Sequence, residues 1–139
     1  MTFTRRNALA AGASAIALIA VTRGAFAATG EEAIAAFTGG ADVGDGGITL
    51  TAPEIAENGN VVPVEVEAPG ATEIAIVAPG NPSADIASVK FGPKAGSQRL
   101  STRIRLAKSQ DVTALARMGD SSVVMTAQPV KVTVGGCGG

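Results

Sequence analysis

From residue 47 to residue 134 the chain alternates apolar and polar positions with a period of two, punctuated by Gly, Pro and Asn. Residues 48–52 (ITLTA) open the pattern. Residues 61–68 (VVPVEVEA) place Val62, Val64 and Val66 on one face and Glu65 and Glu67 on the other, and Asn58-Gly59 ahead of them is a strong reversal signal. Residues 72–78 (TEIAIVA) end apolar on both faces, as a strand central to a sheet does, and APGNP closes them in a turn. IASVKF follows, then RLSTRIRLA (99–107), with Leu100, Thr102, Ile104 and Leu106 inward and Arg103 and Arg105 outward. DVTALARM and residues 123–134, interrupted at Pro129, complete about seven strands. Short strands between turn residues predict an all-β fold, a two-sheet sandwich of immunoglobulin-like kind.

The period changes only near the start. Thr29 and Glu32 have capping-box spacing, and GEEAIAAF puts Ala33, Ile34 and Phe37 on one face of a short helix. GGADVGDGG (39–47) is loop by composition. Its Asp42 and Asp45 lack the acidic spacing of a calcium-binding loop and read as a solvated loop.

Residues 1–27 have another pattern. Arg5-Arg6 precede a weakly hydrophobic stretch rich in Ala and Gly, and Ala25-Phe26-Ala27 has the form of a signal-peptidase site. The stretch is short for a membrane span, which needs about 20 residues. A twin-arginine export signal ending at Ala27 is expected, with no membrane attachment after cleavage. Removing 27 of the 139 residues leaves 112, as a helix-plus-sandwich domain (28–134) and a C-terminal tail (135–139) in a bacterial periplasm.

Composition sharpens the picture. Hydrophobic residues make up 46 % but aromatics only 3 %, so the core must be built from Val, Ile, Leu and Ala, with Phe37 and Phe91 its only large rings. Losing Arg5, Arg6 and Arg23 takes the basic count from 11 to 8 against 12 acidic residues, a net charge of −4. Neither charge nor aromatic content suits nucleic acid.

The chain has no histidine and one cysteine, Cys137. A neutral-pH general base, an imidazole-activated thiol and a His/Cys metal cage are all absent, so no catalytic residue, metal site or cofactor is expected. Glu54, Glu57, Glu65 and Glu67 read as solvated charges; Arg99, Arg103 and Arg105 read as a polar strand face with the capacity to steer anions.

What remains is KVTVGGCGG. Gly135, Gly136, Gly138 and Gly139 surround Cys137 with residues that have no Cβ, giving a thin, flexible arm. Three residues past Val134 carry the cysteine about 10 Å outward. Nothing adjacent lowers the thiol's pKa, so it is accessible but relies on partners for activation. An unpaired cysteine in an exported chain also allows a disulfide-linked dimer. It lies third from the end, which excludes a prenylation box. Export argues against a ubiquitin-like sulfur carrier activated by ATP at its terminal Gly-Gly. Two readings follow: a covalent carrier, or a binding sandwich whose cysteine only cross-links.

The terminal GGCGG, the twin-arginine leader, PEIAENGNVVPVEV (53–66) and RIRLA (103–107) together resemble the SoxY family, carrier subunits of the Sox thiosulfate-oxidising system. The resemblance implies an immunoglobulin-like sandwich paired with a second one, SoxZ, in a heterodimer. It implies that Cys137 is the attachment residue, loaded with thiosulfate by the cytochrome SoxXA as Cys–S–S–SO3⁻. A manganese-dependent hydrolase, SoxB, and a sulfur dehydrogenase, SoxCD, would act on the adduct, so the metals would belong to the partners.

Overall fold

The structure, a computed structural model, describes residues 29–135. The expected signal segment lies outside the described residues, as do Gly136, Cys137, Gly138 and Gly139. Helix α1 (Gly30–Thr38) starts at Thr29 as its spacing predicts. The Glu32 amide donates to Thr29 Oγ1 at 3.3 Å and the Thr29 amide donates to the Glu32 carboxylate at 3.0 Å, satisfying two otherwise orphaned donors. Gly39, left-handed at φ 62°, ends it.

Nine strands follow: β1 (Val43–Gly44), β2 (Thr49–Thr51), β3 (Ile55–Ala56), β4 (Val62–Glu67), β5 (Ala71–Val77), β6 (Asp85–Lys90), β7 (Arg99–Ile104), β8 (Gln110–Met118) and β9 (Val123–Val132). The larger sheet has the order β1-β9-β8-β5-β6, with β3 also alongside β9; the smaller is β2-β4-β7. The seven expected strands are present. β1 and β3 are additional, each two residues long and parallel to β9, in segments whose composition reads as loop and turn.

The molecule has three layers. Val62, Val64, Val66, Ile104 and Leu106 of the smaller sheet and its extension meet Ile74, Ile76, Val112, Ala114 and Val130 of the larger. On the larger sheet's other face, Ala33, Ile34 and Phe37 of α1 cover Val77, Leu115 and Val123. β5 lies between β8 and β6 with both faces covered, which explains why its sequence loses alternation at the end. A fully buried Val, Ile or Leu contributes about 1.5–3 kcal/mol relative to exposure, so an aliphatic core this continuous needs no aromatic centre. Arg117 closes the helix seam: it stacks on Phe37 at 5.3 Å from the ring centroid and donates to the Phe37 carbonyl.

The expected strand over residues 99–107 is shorter, since β7 ends at Ile104, and β9 also departs from expectation. β9 ends at Val132 rather than Val134, and it runs through Pro129, which lies opposite Asp111 of β8. β1 has ended opposite Val124 and β3 begins opposite Lys131, so the outer edge of β9 at Pro129 has no strand neighbour, and proline is tolerated on such an edge.

Candidate functional site: the root of the C-terminal segment

β9 delivers the chain to one end of the sandwich, and the last described residues are fastened there on both sides. The first clamp is the segment just ahead of the Asn58-Gly59 reversal. Its β3 pairs with Lys131 and Val132; the Lys131 amide donates to the Glu54 carbonyl at 2.8 Å and the Thr133 amide to the Ala56 carbonyl at 3.0 Å. Thr133 Oγ1 donates to the Glu57 carbonyl at 2.9 Å. Asn58 folds the chain back by accepting from the Asn60 amide at 3.0 Å, an Asx turn. That turn sets buried Gly59 between two strand ends: its amide donates to the Val134 carbonyl at 2.8 Å and its carbonyl accepts from the Leu106 amide at 2.7 Å.

The second clamp comes from residues 105–110. The Val132 amide donates to Ser109 Oγ at 2.8 Å, so a hydroxyl stands in for a strand neighbour where β8 has not yet begun. Buried Asn81 holds this loop. Its Nδ2 donates to the Arg105 carbonyl at 2.7 Å, and its Oδ1 accepts from the Ala107 amide and from Gln110 Nε2, both at 2.9 Å. Gln110 Oε1 in turn accepts from the Gly80 amide at 2.7 Å. The Ala107 carbonyl consequently lies against Gly135, where a Cβ would overlap it.

Of the residues singled out from sequence, Gly135 is therefore placed, and its role differs from simple conformational freedom: it admits a close approach of two backbones. Cys137 follows two residues later, outside the described residues. Glu54 and Glu57 are exposed and serve the clamp through their carbonyls. Glu65 and Glu67 lie on the outer face of the smaller sheet, where Arg99 reaches them at 3.7 and 3.3 Å. These surface pairs stabilise little, about 0–1 kcal/mol each. Arg103 and Arg105 are exposed, and among the described residues neither has a carboxylate within ion-pair distance. Asp42 and Asp45 are exposed and belong to no ligand cluster; none forms among the described residues.

The sequence reading missed Gly59, Asn81, Ser109 and Thr133. Asn81 sits in a turn motif that any surface loop can carry, and only burial reveals its three bonds. Three of the exposed large aliphatics, Ile55, Val61 and Val134, belong to these clamping segments. Among the described residues no helix is long and apolar enough to cross a membrane. Asp120, whose carboxyl is held below its ordinary range, stands in the β8–β9 turn at the other end of β9. The Ser122 hydroxyl donates to it at 2.6 Å and the Ser122 amide at 3.0 Å.

Comparison with known proteins places this geometry in context. The family described as "Sulfur oxidation protein SoxY" matches residues 34–137. The solved sulfur carrier protein SoxY from Chlorobium limicola f thiosulfatophilum is 37 % identical, with a TM-score of 0.66, covering 75 % of this chain and 96 % of that one. The superoxide reductase (neelaredoxin) of Ignicoccus hospitalis shares the fold at 18 % identity and a TM-score of 0.55, covering 61 % of this chain and 78 % of its own. A hypothetical protein from Pyrococcus horikoshii does so at 14 % identity and a TM-score of 0.51, covering 66 % and 96 %. No curated protein sequence matches the chain.

Proposed function

The chain belongs to the SoxY family, and from that premise we propose that it is a periplasmic carrier holding thiosulfate-derived sulfur covalently on Cys137 and presenting it to partner enzymes. The observation that carries this reading is that the family match runs through Cys137 itself, two residues beyond a firmly fastened root.

The loading step balances as Cys–SH + S2O3²⁻ → Cys–S–S–SO3⁻ + H⁺ + 2 e⁻. An S–S bond forms, and the electron pair passes to a c-type cytochrome of SoxXA kind. Hydrolysis by a SoxB-like partner then follows as Cys–S–S–SO3⁻ + H2O → Cys–S–SH + SO4²⁻ + H⁺, and a SoxCD-like dehydrogenase oxidises the remaining sulfane sulfur. The chain's own contribution is mechanical and entropic. Tethering replaces diffusion of a small anion with a high local concentration at each partner. The rigid root aims the arm, and Gly136, Gly138 and Gly139 keep it thin enough to enter a narrow active site. Ile55, Val61 and Val134 offer an apolar rim for transient contacts, while a SoxZ-like sandwich forms the standing heterodimer. Residues 1–27 direct export and are removed.

The test is intact mass after incubation with thiosulfate and the oxidised partner cytochrome. The mature chain should gain one thiosulfate at Cys137, and Cys137→Ser should gain none while folding normally. A chain that forms only disulfide dimers under these conditions would be the cross-linked sandwich instead, and the carrier reading would fall.

A further inference from the structure

The outer face of the smaller sheet carries a groove that the carrier chemistry does not use. Pro63, Ser101, Thr102 and Arg103 line an open hollow of about 540 Å³, and a second hollow of about 400 Å³ continues it past Pro63 and Ser101 toward Thr51 and Glu65. It exists because β2 ends opposite Glu65, so that at Pro63 β4 is paired with β7 on one edge and has no strand neighbour on the other. We propose that this groove is a resting site, in cis, for the anionic sulfonate end of the group carried on Cys137. The inference rests on Cys137 being the carrier residue.

Charge, donors and reach agree on that occupant. Glu65 and Glu67 on the same face share Arg99, which leaves one net negative charge among the three; Arg103, which has no carboxylate partner among the described residues, is the cation that lines the hollow beside Pro63. Arginine's planar fork suits an oxyanion, and Ser101, on the same outward face of β7, lines the hollow as a further donor. The groove also lies at the correct end of the sandwich. β7 carries Arg103, pairs Ile104 with Val62, and continues to Leu106, bonded to Gly59, and Ala107, lying against Gly135. Arg103 is thus four residues of chain, at most about 13 Å, from the arm's root. Cys137 is two residues, about 7 Å of extended chain, beyond Gly135. The cargo on the sulfur and the arginine side chain span the rest.

An exposed arginine holds such a group weakly, which suits a site that must release it to each partner. While it holds, the thiosulfonate is kept against the carrier's own surface and away from stray thiols.

The probe is a stable sulfonate in place of the labile cargo. Sodium 2-sulfonatoethyl methanethiosulfonate converts Cys137 to Cys–S–S–CH2CH2–SO3⁻ with methanesulfinate leaving; methyl methanethiosulfonate gives the neutral Cys–S–S–CH3. Amide resonances of Ser101, Thr102 and Arg103 in the mature chain should move on sulfonate tagging and stay in place on methyl tagging. Arg103→Gln should abolish the shifts with the rest of the spectrum unchanged, and 0.5 M salt should reduce them. Equal shifts with both tags would report modification of the thiol and not sulfonate binding, and shifts with neither tag would leave the groove without a cis ligand; either overturns the proposal. Because both tags are attached chemically, these outcomes do not depend on whether thiosulfate loads Cys137, which the mass experiment decides separately.

Discussion

Gly135 and the carbonyl oxygen of Ala107 approach so closely that no Cβ fits between them. The first glycine of the C-terminal GGCGG is therefore required by packing at the sandwich surface, a role that its composition alone does not reveal. Gly135→Ala should push the loop of residues 105–108 away and destabilise the domain by about 1–3 kcal/mol, the usual range for overpacking. Urea unfolding measures this. A change below about 0.5 kcal/mol, the range of ordinary surface substitutions, would mean that the two backbones are not held together.

Asn81→Ala removes three hydrogen bonds from a buried position and strands the Ala107 amide and the Arg105 carbonyl. The stranded groups are only partly buried, so each costs at most about 1–3 kcal/mol; the variant should unfold at lower denaturant and lose amide-exchange protection at Ala107 first. Uniform loss of protection across all strands, without an early change at Ala107, would contradict a local role.

Gly30 opens α1 against Pro79: a Cβ there would stand 2.5 Å from the proline Cβ and 3.0 Å from its Cα. Alanine improves intrinsic helix propensity by up to about 1 kcal/mol, but the proline ring is fixed and cannot yield. The steric term wins. Gly30→Ala should lower thermal stability and accelerate proteolysis within residues 30–38; a stabilised variant would show that propensity prevails and that the helix has room.

Asp120 titrates below its ordinary range because Ser122 donates to it, first through the hydroxyl and then through the amide. A carboxyl whose folded pKa lies below its unfolded value stabilises the fold above the unfolded pKa and loses that contribution as pH falls through the folded one. Ser122→Ala should raise the Asp120 pKa in an NMR titration. Its small stability deficit at pH 7 should shrink toward zero in acid, and a deficit that grew in acid would contradict the assignment.

For the C-terminal segment itself, Gly136→Val combined with Gly138→Val keeps Cys137 but adds two branched side chains beside it and restricts the backbone. Iodoacetamide should label the thiol at nearly the wild-type rate while partner-dependent turnover falls steeply. Unchanged turnover would mean that the glycines are not needed for entry into a partner.

The fold was largely legible because its information is local. Alternation in 61–68 and 99–107 assigns each residue to a face, Thr29 and Glu32 mark a helix start through bonds three residues apart, and the double-sided hydrophobicity of 72–78 marks a central strand. A period-two pattern survives in any sandwich, so these signals need no knowledge of neighbours. Pro129 misled for the opposite reason: whether a proline breaks a strand depends on whether that edge has a partner, which is a property of the assembled sheet.

The sequence by itself determined the class of fold, the face each strand residue occupies and the isolation of a single thiol among glycines, since periodicity and composition are written along the chain. Only the tertiary structure decided how the arm is mounted. Parallel pairing of β3 with β9 joins residues 55–56 to 131–132, Asn81 reaches Arg105, Ala107 and Gln110, and Gly135 meets Ala107. These contacts link residues some 24 to 76 positions apart, the longest being 131 − 55 = 76 between Ile55 and Lys131. Their partners are selected by how the two sheets stack and where each strand stops, and no window along the chain contains both ends of any of them.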